Sequence, residues 1–202
     1  VQTCALPILP MSEATLAAMF ALAREIPRLV HNQGARSWDR FAPILLDNKT
    51  AGVYGIGAIA ETLGPRLKML GMKVVGISSS PRNLTGFDEM RPRADLAAAV
   101  RDLDFLIILT PHTKDTHHSI STAVLTAMKP TSFIVNLARG GVVDENALVE
   151  ALKAKKIAGA ALDVFEIEPA EAHPLFGHEN VVCTPHLGAA TSEAQENVAI
   201  QI

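Results

Sequence analysis

The chain has 202 residues, which is enough for one domain and part of a second. Hydrophobic residues make up 49% of it and the mean hydropathy is +0.23, so the sequence can bury a sizeable core. The net charge of −3 provides no basic surface for a polyanion, and we expect no nucleic-acid partner.

The cysteines and the apolar runs indicate the compartment. Cys4 and Cys183 make no disulfide framework, which favours a reducing environment. The longest uncharged apolar helix candidate, residues 14–23, is shorter than the about 20 residues that span a bilayer. No signal peptide is evident. We therefore expect a cytoplasmic protein without a membrane partner.

Both ends of the sequence have features typical of a truncated chain. Residues 1–8 look like the translation of a common sequencing adapter, and we expect them to be an assembly artefact outside the fold. Residues 191–202 read as a helix with no C-terminal cap signal. The sequence therefore predicts a fragment of a longer protein.

The first native segment, residues 9–43, is predicted to be a leading helix and a connector. Ser12 is the expected N-cap of a helix that runs to Val30, and Pro27 ends or kinks it. Residues 34–43 form a polar connector that holds the only tryptophan, Trp38.

From residue 49 onwards, short apolar strands alternate with helices. The predicted strands are residues 50–54, 73–77, 105–109, 133–137, 158–164 and 181–184, and the predicted helices are residues 59–70, 94–101, 121–128 and 144–156. Gly71 is the expected stop of the first of these helices and Asp144 the expected cap of the last. This alternation predicts an α/β fold with a doubly wound parallel sheet and helices on both faces.

A glycine turn joins the first strand to its helix at residues 55–60. Gly55 permits a tight turn, Gly57 lets a pyrophosphate approach the backbone, and Ala60 allows close helix–strand packing. Phosphates would lie at the helix N-terminus, where free N–H groups favour anions. The alternative is that the glycines serve only the turn. The strand–turn–helix context favours a dinucleotide site.

The end of the second strand favours NADP over NAD. An NAD site usually has Asp or Glu at this point, but here Ser78 and Ser79 are followed by Arg82. A guanidinium suits a 2′-phosphate, which a carboxylate would repel. The alternative is a Ser-Pro turn with a solvated arginine. The sequence predicts NADP or NAD as the cofactor, with NADP favoured.

Three ordered motifs resemble signatures of the D-isomer-specific 2-hydroxyacid dehydrogenases. Residues 133–144 resemble the arginine signature, residues 163–169 the glutamate signature and residues 184–191 the histidine signature. The family includes phosphoglycerate dehydrogenases, glyoxylate/hydroxypyruvate reductases and formate dehydrogenases. The resemblance extends from about residue 12 to residue 202.

The resemblance implies two doubly wound lobes, of which this chain lacks most of the substrate lobe. Residues 44–190 are then the NAD(P)-binding Rossmann domain, and residues 191–202 begin the helix that returns to the missing lobe. The family usually dimerises through the nucleotide lobe, so we expect a homodimer.

Arg139, Glu168 and His186 are the predicted catalytic residues. Arg139 follows an apolar strand, and its planar fork can bind a carboxylate and an oxo group together, although a surface salt bridge is the alternative. His186 is the expected proton donor and acceptor. Glu168 would orient its ring; Glu166 competes for this role, and the family pattern selects the glutamate before Pro169.

The remaining cofactor residues follow from the turn and from the resemblance. Asp163 is implied to contact the nicotinamide side, and Thr110 and Pro111 to border the adenosine pocket, although a strand-end Asp is often only a turn cap. The full set of expected cofactor residues is Gly55, Gly57, Ala58, Ile59, Ser78, Ser79, Arg82, Thr110, Pro111, Ala138 and Asp163.

The other histidines and Cys183 carry no predicted function. His117 and His118 are adjacent and are expected to diverge, so we predict no metal site. His173 and His178 flank a loop and are expected to be solvent-exposed, and His112 has no predicted partner. Cys183 reads as a small core residue.

These features predict an oxidoreductase that interconverts a D-2-hydroxy acid and its 2-oxo acid with a nicotinamide cofactor, so the expected partner is that small acid. The alternative is a non-catalytic, corepressor-like module that binds NAD(P)(H). A third expectation concerns this chain alone: it binds nucleotide but turns over nothing, because one lobe of the cleft is mostly absent.

Overall fold

The computed structural model describes residues 8–80 and 82–193, and within them six α-helices alternate with seven strands. The helices are α1 (Ile8–Ala23), α2 (Ile26–Gly34), α3 (Ala58–Met69), α4 (Leu96–Ala99), α5 (Thr122–Ala127) and α6 (Glu145–Lys153). The strands are β1 (Thr50–Tyr54), β2 (Lys73–Ser78), β3 (Glu89–Pro92), β4 (Phe105–Ile108), β5 (Phe133–Asn136), β6 (Gly159–Leu162) and β7 (Val181–Cys183).

The seven strands form one parallel sheet in the order β3-β2-β1-β4-β5-β6-β7. β1 lies near the middle of the sheet, and β2 and β3 follow it on one side. β4 then pairs with the other side of β1. In that pairing Ala51 lies opposite Phe105, and Tyr54 lies opposite Ile108. This reversal of direction is the switch point at which open α/β sheets form their ligand crevice. The predicted doubly wound fold is confirmed.

Both faces of the sheet are covered because the central strands are apolar on both sides. All four residues of β4 are buried. One face packs on α1 and α3, with Met19, Leu63 and Ile107 in the same core cluster. The other face packs on α4, α5 and α6 in a second cluster. Continuous burial of this kind is the reason that these strands read as apolar runs.

The leading helix differs from its prediction at both ends. Ser12 is not an N-cap, because α1 already begins at Ile8; Ser12 is fully buried inside the helix, where its hydroxyl has no hydrogen-bond partner. The helix also stops before Val30. Glu25 adopts a left-handed conformation with φ of 53°, and α2 begins next with Pro27 in its first turn. The predicted break in the helix at Pro27 is therefore present, but Pro27 lies in the first turn of a second helix and does not end the first one.

The sheet edge at β3 was missed, and the predicted helix 94–101 is shorter. β3 is polar and ends in Pro92, which suits an edge strand where one row of backbone groups is unpaired. Arg91 fastens it, since its guanidinium bonds Glu89, Asp102 and the carbonyl of Ala99. A 3-10 turn at Arg93–Asp95 then leads into the short α4.

Several local signals are confirmed. Gly71 ends α3 with φ of 76°, and the Asp144 carboxylate accepts the N–H of Ala147 at 3.0 Å as the cap of α6. Trp38 is 92% exposed on the connector after α2. In the part of the chain that the structure describes, no helix has the length and apolar character needed to cross a membrane. Residues 1–7 of the adapter-like segment, Cys4 among them, and the expected return helix beyond residue 193 lie outside the described residues. Ile8, which was expected to lie outside the fold, is the first residue of α1.

Ile107→Ala should destabilise the fold, because Ile107 is fully buried at the centre of β4. We expect the free energy of unfolding to fall by about 2–5 kcal/mol through lost burial and the cavity left behind. Met69→Ala is the matched control: Met69 is 86% exposed at the end of α3, so its free energy of unfolding should stay within about 0.5 kcal/mol of wild type. Urea denaturation of both variants measures the difference, and equal losses would contradict this arrangement of the core.

Candidate functional site

The predicted site residues lie on loops that leave the carboxyl ends of the strands. Gly55 follows β1, Thr110 follows β4, Arg139 follows β5 and His186 follows β7. Because all these strands are parallel, their carboxyl ends meet at one edge of the sheet. The fold therefore brings residues that are far apart in the sequence to a common edge.

Gly55 is required where β1 meets β4. Its φ is 101°, and a Cβ there would lie 2.4 Å from the backbone N of Thr110. Its own N–H donates to the carbonyl of Ile77 at 3.1 Å, which ties the turn to β2. Only glycine fits both the conformation and the space.

Gly57 differs from Gly55, because the protein itself does not require a glycine there. Its φ of −148° is extended backbone, and a Cβ there would meet nothing within 4 Å. Gly57 is the N-cap of α3, whose first residues are Ala58 and Ile59, while Ala60 is buried against the sheet. Open space at a helix N-terminus leaves room for an anionic ligand to approach the backbone.

A cleft of about 280 Å³ lies between the glycine turn and the loop after β4. The Thr110 side of this cleft is held in shape by Thr116, whose hydroxyl donates to the carbonyl of Pro111 at 2.7 Å and accepts from the N–H of Thr113 at 2.7 Å. Predicted residues that line the cleft are Gly55, Gly57, Ser78, Ser79, Thr110 and Pro111.

Arg82 lies in an ion pair at the end of β2. Its guanidinium contacts the carboxylate of Glu61 at 2.5 Å, and both side chains are well exposed. The sequence showed no carboxylate on this strand end, but α3 supplies one. Ser78 shapes the same turn, since its hydroxyl accepts the N–H of Ser80 at 3.1 Å.

Arg93 also lines this cleft and was missed by the sequence analysis. It begins the 3-10 turn after β3, and its guanidinium lies 3.7 Å from the carboxylate of Asp115. A position directly after a strand would have indicated Arg93 as a site residue, but β3 is too polar to be recognised as a strand from the sequence. The lining of the cleft therefore includes a cation, Arg93, whereas Arg82 does not line it.

Arg139 lies on a loop that Asn136 holds in shape. The side chain of the buried Asn136 accepts the N–H of Ala138 at 3.1 Å and donates to the carbonyl of Arg139 at 3.1 Å. The Arg139 side chain is exposed, and its guanidinium donates to the Ala138 carbonyl at 2.6 Å. Gly140 then packs on the Phe165 backbone, where a Cβ would lie 2.0 Å from the Phe165 carbonyl carbon.

Glu168 and His186 form the predicted pair. The Glu168 Oε2 lies 2.7 Å from the Nδ1 of His186, and the other carboxylate oxygen accepts the N–H of Phe165 at 3.0 Å. The pair is partly exposed, with 49% of the His186 side chain and 36% of the Glu168 side chain accessible. Since Nδ1 is engaged and no described residue bonds Nε2, the far nitrogen of the ring is available to a substrate.

The environment of Glu168 keeps it ionised. The hydrogen bond from His186 lowers the pKa of Glu168, and the Phe165 N–H lowers it further against a small opposing effect of burial. The charge of Arg139 also lowers this pKa, so the three predicted catalytic residues share one electrostatic neighbourhood.

Glu166, the competing carboxylate, is engaged elsewhere. Its Oε1 lies 2.6 Å from the Nε2 of His118, and its backbone N–H donates to Glu145 at 2.7 Å. The geometry therefore selects Glu168 as the partner of His186, as the motif predicted.

Asp163 fastens the loop that carries His186. Its Oδ1 accepts from the Thr184 hydroxyl at 2.6 Å and from the Leu187 N–H at 2.7 Å, and its Oδ2 accepts from the Gly188 N–H at 2.7 Å. This is the turn-capping role given above as the alternative. Its contact with nicotinamide stays a prediction.

Three expectations about the histidines are wrong. His117 and His118 do not diverge: their rings stack with centroids 3.9 Å apart, because His118 has a φ of 48°. His112 has a partner, since its Nε2 lies 3.0 Å from the Nδ1 of His117. His173 is not solvent-exposed; it pairs with Glu145 at 2.9 Å. No group of three or more metal-ligating side chains occurs among residues 8–80 and 82–193.

Glu168 and His186 also border a cavity of about 570 Å³, which is separate from the cleft between the glycine turn and the loop after β4. Phe165, Phe176 and Cys183 contribute to its apolar walls. Cys183 is half-buried rather than in the core, and burial raises the pKa of its thiol to about 11. The thiol therefore stays protonated at neutral pH and acts as an apolar surface.

Comparison with known proteins agrees with this geometry. The family described as D-isomer specific 2-hydroxyacid dehydrogenase, NAD binding domain, matches residues 16–188. A D-3-phosphoglycerate dehydrogenase from Methanocaldococcus jannaschii is 40% identical over 189 residues, covering 92% of this chain and 36% of the relative. A glyoxylate reductase from Thermococcus litoralis is 42% identical over 154 residues, covering 76% of this chain and 46% of the relative.

A solved structure supports the same assignment. The D-isomer specific 2-hydroxyacid dehydrogenase from Xanthobacter autotrophicus, in complex with NADPH and MES, is similar with a TM-score of 0.84 and 29% identity, covering 96% of this chain and 81% of that one. The chain spans less than half the length of both curated relatives. It belongs to the D-isomer specific 2-hydroxyacid dehydrogenase family, and residues 16–188 correspond to the family's NAD-binding domain, a Rossmann fold.

Proposed function

We propose that this protein is an oxidoreductase that acts on the CH–OH group of a D-2-hydroxy acid with NAD or NADP as acceptor, and that reduces the 2-oxo acid in the reverse direction. The observation that carries the proposal is the 2.7 Å hydrogen bond between Glu168 and His186, with Arg139 close enough for its charge to act on Glu168. A cation for the acid and an oriented imidazole for the proton are what this chemistry requires.

The nucleotide cleft fits a dinucleotide. The open space at Gly57 leaves the N-terminus of α3 accessible to a pyrophosphate, and Thr110 and Pro111 form the opposite wall. Gly55, Gly57, Ala58 and Ile59 would hold the phosphates. A bound cofactor would supply the acceptor or donor of the hydride, its nicotinamide ring.

The chain's own residues would handle the acid and the proton. Arg139 would bind the substrate carboxylate and oxygen through its guanidinium fork. During oxidation, the hydroxyl proton moves to the Nε2 of His186 as the C–H electron pair leaves with the hydride; during reduction, the same nitrogen returns the proton to the alkoxide oxygen. Glu168 holds the ring by its Nδ1, which leaves Nε2 facing the substrate.

We also propose that NADP is preferred. Arg93, Ser78 and Ser79 line the cleft, and Arg82 follows the two serines in the sequence. The ion pair between Arg82 and Glu61 is exposed, so a 2′-phosphate can compete for the guanidinium at little cost. The NADPH complex of the relative from Xanthobacter autotrophicus gives this preference a precedent in the family.

A homodimer in the cytoplasm completes the proposal. Large apolar side chains are exposed along α1, α2 and the connector: Phe20, Leu29, Val30 and Trp38. Such side chains on the surface could contribute to a contact between two copies of the chain.

Gly57→Ala should weaken nucleotide binding without affecting the fold. The protein leaves space for the added methyl group, but a phosphate at the helix N-terminus would meet it. We expect the Kd for NADPH to rise by about tenfold or more, measured by nucleotide fluorescence. Gly34→Ala is the control, because its Cβ would also meet nothing, at a site far from the cleft. Unchanged affinity in Gly57→Ala would show that the glycine serves only the turn.

The cofactor preference is tested by titrating the chain with NADPH and with NADH. We expect tighter binding of NADPH, and Arg82→Gln should raise the Kd for NADPH about tenfold while leaving that for NADH unchanged. Arg101→Gln, a second exposed arginine, should change neither value. Tighter binding of NADH by the wild type would contradict the proposed preference for NADP and would leave the fold assignment unchanged.

His186→Ala should abolish turnover and spare cofactor binding. Loss of a general acid–base group lowers the rate by about 10²–10⁴-fold. Glyoxylate and hydroxypyruvate are the substrates to assay, with NADPH consumption as the signal and His31→Ala, on exposed α2, as the control. Retained turnover in His186→Ala would remove this histidine from the mechanism. These assays use the full-length protein, because this chain spans less than half the length of its curated relatives and is expected to turn over nothing alone. A full-length wild type that binds nucleotide but turns over neither acid would favour the regulatory module instead.

A further inference from the structure

The loop that carries Glu168 is exposed and needs to be held from outside. It follows β6, and residues 166–169 are all exposed, whereas Phe165 is buried. The bond from Glu168 to the Phe165 N–H ties the carboxylate to the buried start of the loop but leaves the backbone of residues 166 and 167 without support. The 2.7 Å distance from Glu168 to His186 therefore depends on contacts that join this loop to the rest of the fold.

Glu145 supplies such a contact to the loop backbone. It is the first residue of α6, directly after the cap Asp144, and its Oε1 accepts the N–H of Glu166 at 2.7 Å. A carboxylate in the first turn of a helix is stabilised by the helix dipole. The contact reaches the loop two residues before Glu168.

The position of Glu145 is itself well defined. Its Oε2 bonds the Nε2 of His173 at 2.9 Å, and only 12% of its side chain is accessible. The His173 ring packs on the Phe165 ring with centroids 5.2 Å apart. Both carboxylate oxygens are thus engaged on opposite sides, which leaves Glu145 little freedom to follow a moving loop.

Two other contacts hold the loop less directly. His118 bonds the carboxylate of Glu166 at 2.6 Å, but this pair is more than a third exposed. Gly140 packs on the Phe165 backbone from the loop that carries Arg139. Of the described contacts, the one from Glu145 is the polar contact made to the backbone of residues 166–169 by a side chain that is only 12% accessible.

We propose that Glu145 is a positioning residue for the Glu168–His186 pair: it holds the backbone of Glu166 so that the Glu168 carboxylate stays within hydrogen-bond distance of the imidazole. The assignment rests on the proposed function for the meaning of that pair, but not for its geometry. A purely structural role would only stabilise the fold around α6.

The experiment is a carbon-13 NMR titration of the Glu168 side-chain carboxyl in the full 202-residue chain and its variants. Glu145→Asp keeps the charge at the helix N-terminus but withdraws the oxygens from the loop. Glu145→Ala removes them, and Glu145→Gln restores a carbonyl acceptor at the original length. Glu150→Gln is the control, because Glu150 is exposed on the same helix and pairs only with Lys153 among the described residues.

In Glu145→Ala and Glu145→Asp, Glu168 should separate from His186 and its acid dissociation constant should fall at least about threefold. In Glu145→Gln the acid dissociation constant of Glu168 should be close to the wild-type value, and in Glu150→Gln it should be unchanged. A folded Glu145→Asp variant with an unchanged Glu168 titration overturns the proposal. Glu145→Asp keeps the test decisive even where Glu145→Ala does not fold. Failure of the proposed enzyme activity would leave this titration readable, so the two outcomes are separable.

Discussion

The pairing of β1 with β4 is the constraint on which the rest of the structure depends. Parallel pairing in this register places the turn at Gly55 directly against the backbone of Thr110, where a Cβ would lie 2.4 Å from the Thr110 nitrogen. The reversal of strand order at this point leaves a crevice at the carboxyl ends of the strands. The loops that carry the predicted site residues leave the strands at that edge, and the close approach of Gly55 to Thr110 forms the base of the cleft beside the glycine turn.

Exposed side chains of the proposed site are held by polar side chains that are buried or partly buried. Asn136 shapes the Arg139 loop, Asp163 holds the His186 loop with three hydrogen bonds, and Glu145 holds the loop of Glu168. A buried carboxylate or amide is costly unless its partners are all present, so each of these loops has one well-defined position. The site can therefore remain open to solvent while its reacting groups stay in place.

The sequence predicted the features that depend on local pattern. β1, β4 and β5 are apolar runs, and Gly71 and Asp144 are strong helix-end signals. The glutamate and histidine motifs locate Glu168 and His186, the pair that the structure brings together. Features set by distant contacts were missed. β3 is polar because it lies at the edge of the sheet, Arg82 meets Glu61 only through the fold, and the stacking of His117 on His118 needs a left-handed residue that no local signal indicates.

The most direct test of this account is to map the backbone amide shifts of the chain as NADPH is added. The perturbed amides should cluster at the carboxyl ends of the strands, centred on Gly55, Gly57, Ser78 and Thr110, while the amino ends of the strands and the far ends of the helices stay unaffected. Saturable binding with shifts centred elsewhere, or no binding by a folded chain, would contradict the claim that the crevice between β1 and β4 is the nucleotide site.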